Sequence, residues 1–268
     1  MAKLLLGKPV ADELNEDTKG CVERHKVSTL AILKDGENID SENYVNSIVR
    51  QANKLGIDTD VIQLDEYNND NNLLMLSKML NDEWNNYLIL PIEPISDEMR
   101  SWINRNLYEE KDVDCFMDCN KKYGYGKTSP NTPYAVMELL EYYDIDIQGK
   151  NVVIIGRSDT VGTPLALLFL EANATVTVCH SKTENIKTHT QNADILVSAV
   201  GIPKFVTKDM VKEGAVIIDV GINDDGNGGI CGDIDFDAVE PIVNAITPVP
   251  RGVGAVTTAV LLNNVAIW

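Results

Sequence analysis

From about residue 25 onward, short apolar runs alternate with amphipathic stretches, a rhythm that restricts the chain to βαβ units around mostly parallel sheets. Strands are expected at Thr29–Leu33, Thr59–Leu64, Tyr87–Leu90, Val152–Ile155, Thr175–Val178, Ile195–Ala199 and Val216–Val220, with helices between them. Ser41 is placed to cap a helix that runs to about Leu55, where Gly56 stops it. Thr132-Pro133 opens another that ends near Tyr143. The Asp- and Asn-rich stretch from Asp65 to Asn72 reads as an exposed loop. With 268 residues the chain is long enough for two α/β lobes. The polar, glycine-bearing segment from Lys121 to Pro130 is the natural division: a first lobe over 1–130, a second over 131–252, and an apolar helix over 253–268 that packs back on the first.

Charge narrows the partners. Lys and Arg total 23 against 41 Asp and Glu, a formal charge of −18 with no basic run to offset it, and such a surface repels nucleic acid and anionic lipid. No apolar run approaches the roughly 18 residues of a membrane span, and the start of the chain is too weakly apolar for a signal peptide. The five cysteines form no CxxC pair, which fits a reducing cytoplasm and argues against a metal site.

The segment from Lys150 to Pro164 is a buried strand running through Gly156, Arg157 and Ser158 to Gly162 and an apolar helix over Leu165–Leu170. That order places free N–H groups and a helix dipole where a pyrophosphate would lie. Ser158 takes the place of the second glycine of GxGxxG, and a lone glycine there is more often plain turn chemistry. The next strand ends Cys179-His180-Ser181-Lys182 with no acid for a ribose 2′-hydroxyl, so Arg157, Ser158, Ser181 and Lys182 suit a 2′-phosphate, and NADP is favoured over NAD. The lesser alternative for Arg157 and Lys182 is that they are solvated surface cations, and His180 reads equally as a turn residue. Two further strand ends, at Gly201 and Gly221, put three glycine loops on one sheet edge.

These motifs, with Ala193-Asp-Ile, Gly232-Asp-Ile-Asp and Thr247-Pro-Val-Pro250, resemble the bifunctional methylenetetrahydrofolate dehydrogenase/methenyltetrahydrofolate cyclohydrolase family, the FolD type. The likeness is specific over residues 130–262. It is looser before that, resting on Gly7-Lys8, Ser41-x-x-Tyr44-Val45, Leu55-Gly56-Ile57 and Lys111-Asp112-Val113-Asp114. The resemblance implies a two-lobed α/β fold with a Rossmann-like second lobe, a folate cleft, tetrahydrofolate one-carbon derivatives as substrates, NADP as cofactor and a homodimer. It assigns Tyr44 and Asp114 to the folate. To NADP it assigns Gly156, Arg157, Ser158, Ser181 and Ile222, and to the closing loop beside both ligands Pro248, Pro250, Gly252 and Gly254.

Departures from the family pattern bear on mechanism. The family's lysine four residues after its tyrosine is Ile48 here, in a stripe with Tyr44, Ala52 and Leu55. Lys54 is about 80° round and about 15 Å along the axis from Tyr44, too far to substitute. Leu88-Ile-Leu-Pro91 lacks the family's glutamine, and Cys115, Arg251 and Ala255 replace two glycines and a proline. Hydride transfer chiefly needs two rings held face to face, whereas methenyl hydrolysis needs proton transfer that isoleucine does not supply. The expectation is a dehydrogenase with weak or lost cyclohydrolase activity; a non-catalytic dinucleotide or folate binder and an oxidoreductase acting on another pterin are the alternatives. Tyr123-Gly-Tyr-Gly-Lys127 carries a Tyr-x-x-x-Lys spacing, but its two glycines favour a loop.

Overall fold

The computed structural model describes residues 2–25, 27–67, 69–82, 86–117, 130–226 and 228–268. In chain order the described elements are β1 (Lys3–Leu4), α1 (Gly7–Arg24), β2 (Thr29–Lys34), α2 (Ile39–Leu55), β3 (Thr59–Gln63), α3 (Asp70–Asn81), β4 (Tyr87–Ile92) and α4 (Asp97–Asn106). Then follow α5 (Asn131–Tyr142), β5 (Asn151–Ile155), α6 (Gly162–Glu171), β6 (Thr175–Cys179), α7 (Ile186–Thr190), β7 (Ile195–Ser198) and β8 (Val216–Asp219). The last are β9 (Asn223–Asp224), β10 (Ile230–Cys231), α8 (Phe236–Val239), β11 (Ala245–Ile246) and α9 (Val253–Ile267). The α/β class expected from the alternation is therefore what forms, and among the described residues no helix is long and apolar enough to cross a membrane.

Two compact units divide the chain. One holds residues 13–129 and 261–268, the other 1–12 and 130–260. The chain passes between the two units after residues 12, 129 and 260. The opening strand β1 pairs with β11 in the second unit's sheet, Lys3 opposite Ala245 and Leu4 opposite Ile246, and most of α9 goes with that unit too. A two-residue strand carries no period of its own, so the sequence gives no sign of this pairing.

In the first unit, β3-β2-β4 form a parallel sheet whose central strand, β2, is buried from Leu30 to Lys34. Burial on both faces explains why β2 and β4 read as unbroken apolar runs. Leu30, Ile32, Leu88 and Leu90 meet Val45, Ile48, Ala52 and Leu55 of α2, and Leu261, Leu262 and Val265 complete this core. The start of α2 differs from expectation: Asn38, not Ser41, is the cap, its Oδ1 accepting the Ser41 N–H at 3.1 Å. Gly56 ends the helix with φ +79, a conformation that glycine adopts without strain. The presumed loop over Asp65–Asn72 is half helical, because Asn69 accepts the Asn72 N–H at 3.0 Å and starts α3.

The second unit holds a six-stranded parallel sheet in the order β1-β11-β8-β7-β5-β6. From β5 the chain crosses first to β6 on one side and then to β7 on the other. Loops leaving the carboxyl ends of β5 and β7 therefore diverge, and this switch point is where open α/β sheets receive ligands.

Candidate active site

Close backbone contact at the switch point accounts for the glycines. Gly156 has φ +122, and a Cβ there would lie 2.4 Å from the Ala199 carbonyl oxygen on the loop after β7. A Cβ on Gly162 would lie 2.3 Å from the Gly156 carbonyl. Turn and helix start are thus pressed against each other, and the alternative of an ordinary turn glycine gives way to packing that no side chain fits. Ser158 does what the missing second glycine does not: its Oγ accepts the N–H groups of Val161 at 3.1 Å and Gly162 at 3.4 Å. The hydroxyl proton remains free to point outward to an anion.

Beyond β6 the chain turns tightly. The His180 N–H donates to Thr183 Oγ1, and His180 Nδ1 accepts the Lys182 N–H at 3.1 Å, so His180 is a turn residue. Arg157, Ser181 and Lys182 are exposed, and among the described residues neither the Arg157 nor the Lys182 side chain is engaged in an ion pair. The end of β6 thus presents cations and hydroxyls with no carboxylate in the turn, chemistry that fits a phosphate on the ribose.

At the carboxyl ends of β8 and β11 a cavity of about 240 Å³ is lined by Asp219 to Ile222, Ile230 and residues 248–255. It brings Ile222, Pro248, Pro250, Gly252 and Gly254 together, five of the residues the family likeness selects. Ile222 is 63% exposed, an apolar side chain held in the open at this edge. Its floor is again glycine backbone: a Cβ on Gly252 would lie 2.5 Å from the Pro248 carbonyl, and one on Gly7 would lie 2.1 Å from the Gly252 carbonyl. The Gly7-Lys8 motif is thereby explained as packing under this loop. Arg251, where the family has glycine, keeps the glycine-like conformation, with φ +87. A larger cavity, about 390 Å³, opens at the amino ends of the same strands and includes Lys150, Asp194 and Lys212. Lys212 and Lys150 there are paired with Asp194 and Asp146, and the strand ends that gather ligands in such sheets are the opposite ones.

In the first unit Tyr44 and Asp114 are brought together. Tyr44 projects from α2 with 39% of its surface accessible, and its phenol is pushed above the usual tyrosine range by burial first and the Asp114 charge second. It is a neutral hydroxyl at any physiological pH. Asp114 is carried by a turn that Asp112 organises: fully buried, Asp112 accepts the N–H groups of Phe116 at 3.1 Å and Met117 at 2.8 Å, and that of Asp114 at 3.3 Å. Cys115 adopts φ +52 in the same turn, which is why a glycine is at home there. Asp112 belongs to the charged stretch Glu109-Glu-Lys-Asp-Val-Asp114, where nothing in the sequence marks it as the buried acid.

Ile48 has no exposure and belongs to the core stripe with Val45, Ala52 and Leu55. Tyr44, one helical turn earlier and about 40° round the axis, shares that face and stands at its exposed margin. Lys34, at the carboxyl end of β2, escaped the sequence reading because the strand was ended at Leu33. Its side chain is 6% accessible, and its ammonium pairs with Glu42 at 2.8 Å. Cys119, the Tyr123–Lys127 pattern and most of the 121–130 segment lie outside the described residues.

Known proteins give the same picture. Residues 5–114 match the catalytic domain, and residues 130–267 the NAD(P)-binding domain, of the tetrahydrofolate dehydrogenase/cyclohydrolase family. The bifunctional protein FolD of Clostridium botulinum (strain 657) is 42% identical over 99% of this chain and 97% of its own length. The crystal structure of the bifunctional FolD enzyme from Campylobacter jejuni superposes with a TM-score of 0.91 at 38% identity, covering 100% of this chain and 98% of that one. That of the Trypanosoma brucei dehydrogenase-cyclohydrolase, complexed with NADP cofactor and inhibitor, gives 0.85 at 31% identity over 98% and 96%. With both halves matched and the glycine-lined sheet edge in place, the chain belongs to the methylenetetrahydrofolate dehydrogenase/cyclohydrolase enzyme family.

Proposed function

We propose that this enzyme oxidises 5,10-methylenetetrahydrofolate with NADP as the oxidant, and that its cyclohydrolase step is weak. The observation that carries the reading is an intact glycine-lined dinucleotide edge in the same chain as a Tyr44 whose neighbour one helical turn on, Ile48, is buried core.

NADP accepts a hydride from the one-carbon bridge of the folate, leaving the methenyl cation. What the chain supplies is position. Gly156 and Gly162 let backbone approach the pyrophosphate, and Ser158 donates its hydroxyl proton to it. Arg157, Ser181 and Lys182 hold the 2′-phosphate. Ile222, Pro250 and Gly254 shape the apolar place for the nicotinamide. Asp114 accepts the N–H groups of the pterin, and Tyr44 stacks on it and donates a hydrogen bond. Holding both rings in register supplies a large share of the acceleration without a titrating group.

Hydrolysis of the methenyl product is different: a water must lose a proton as it attacks, and the leaving nitrogen must gain one. The phenol of Tyr44, held neutral by burial and the Asp114 charge, does not serve as a base at neutral pH. Lys34 is committed to Glu42, and nothing at position 48 titrates. A homodimer is part of the same reading, with Leu167 and Leu170 of α6, 48% and 53% exposed, beside edge strand β6 as its apolar face. Initial rates with NADP and with NAD at matched concentrations test the cofactor assignment: kcat/KM is expected to favour NADP and to lose that preference in the Arg157→Ala, Lys182→Ala double variant. Equal use of both cofactors by the unaltered enzyme contradicts it.

A further inference from the structure

Two buried carboxylates behind the dinucleotide edge are not accounted for by the reaction. Asp219 ends β8 and is 4% exposed; Asp233 follows β10 and is fully buried. Asp233 Oδ2 accepts the N–H groups of Val200 at 2.7 Å and Gly201 at 3.3 Å and the Ser198 hydroxyl at 3.0 Å. Its Oδ1 accepts the Ile202 N–H and the Asn223 Nδ2, both at 3.0 Å. Asp219 Oδ1 accepts the N–H groups of Gly221 and of Asp233 itself, both at 3.0 Å, and its Oδ2 accepts that of Ile234 at 2.9 Å. All these bonded partners are neutral. Burial first, with the Asp233 charge opposing the backbone donors, pushes the Asp219 carboxyl up to about 6.

The geometry has a direction. One oxygen of Asp233 grips the loop after β7, while the other reaches both that loop and, through Asn223, the loop after β8. The surrounding glycines are the space those carboxylates occupy: a Cβ on Gly221 would fall 2.1 Å from Asp233 Oδ1, and one on Gly232 would fall 1.9 Å from Asp219 Oδ2. Three successive amides, 200 to 202, converge on an anion that the chain provides itself. A backbone nest filled in this way has no donor left for a ligand phosphate.

On this basis, and resting on the NADP reading above, we propose that Asp233, braced by Asp219, is the positioning residue that sets the spacing of the two loops receiving the nicotinamide half of the dinucleotide. It touches neither substrate nor cofactor. It fixes Gly201 and Ile222 at the sheet edge, and by occupying the nest it directs the phosphates to the Gly156 turn.

The test is the full-length Asp233→Ala variant, titrated with NADPH by fluorescence and melted in parallel, with and without millimolar sodium formate. A truncated side chain leaves five donors facing a hole that formate fits. The dissociation constant for NADPH is expected to rise about tenfold or more, the scale of one or two lost charge-assisted hydrogen bonds, and formate is expected to restore most of it. The KM for methylenetetrahydrofolate should stay near that of the unaltered enzyme. NADPH affinity within twofold of the unaltered enzyme, or a loss that formate leaves in place, overturns the proposal. Should Asp233→Ala not fold, Ser198→Ala and Asn223→Ala each remove one donor and keep the carboxylate; a graded two- to threefold weakening supports the proposal and unchanged affinity overturns it. Failure of the unaltered enzyme to bind NADPH at all would instead overturn the NADP reading on which this rests.

Discussion

Replacing Ile48 by lysine separates two accounts of that position. An amine reaching the folate from position 48, one helical turn from Tyr44, would speed methenyl hydrolysis. The packing around Ile48 sets a cost against that gain. Ile48 is fully buried, in one core cluster with Leu30, Ile32, Leu88, Leu90 and Leu262. The variant therefore loses an isoleucine's packing and places an ammonium where nothing solvates it. Burial of an uncompensated charge costs about 3–5 kcal/mol. At about 3 °C per kcal/mol for a chain of this size, the melting temperature should fall by about 10 °C. Desolvation also lowers the folded-state pKa of the new lysine below its unfolded value. The unfolded chain then binds more protons between the two values, so stability of the variant rises with pH through that window, and its deficit should shrink from pH 7 to pH 9. Thermal and urea melts at both pH values, with formyltetrahydrofolate release measured on the folded fraction, read all three quantities. A variant that melts within about 2 °C of the parent would refute the core assignment, and a folded variant that gains no hydrolytic rate would refute position 48 as the place of the missing amine.

Two further substitutions probe backbone strain. Gly156→Ala puts a Cβ at φ +122 and 2.4 Å from the Ala199 carbonyl, so the loops must part by about 1 Å to reach ordinary contact. The expected result is about 2–4 kcal/mol of lost stability and at least tenfold weaker NADPH binding, read by melting and titration, and tight binding would contradict the close-approach argument. Arg251→Gly should have the opposite sign. It relieves a non-glycine residue at φ +87 and should stabilise by about 0.5–1 kcal/mol, measured by urea denaturation.

Much of this was legible in the sequence because the physics is local. An apolar run five residues long between turn signals can hardly be anything but a buried strand, and β2, β4, β5 and β7 were found that way to within two residues. Gly156 and Gly162 were placed by the order of strand, turn and apolar helix, with plain turn chemistry left open until the close backbone contacts were seen. What escaped depends on distant partners. The pairing of Lys3–Leu4 with Ala245–Ile246 joins segments with no periodic signal of their own. The sharing of Asp233 between loops around residues 200 and 223 appears only when β7 and β8 are laid side by side. Ile48 was legible as core from the apolar stripe of α2, and it is fully buried there, while Tyr44 falls at the edge of the arc centred on Val45, Ile48 and Ala52. Lys34 was hidden by its residue type, since a buried lysine needs a partner that only the fold reveals.

The central claim is that one chain keeps the oxidation and has largely lost the hydrolysis. A single progress curve reads both: purified enzyme is given methylenetetrahydrofolate and NADP, while NADPH, methenyltetrahydrofolate and formyltetrahydrofolate are followed together. The account predicts that NADPH and the methenyl product rise in step, with the formyl product appearing no faster than in an enzyme-free solution of the methenyl compound. Formyl product keeping pace with NADPH, with no methenyl accumulation, would contradict it.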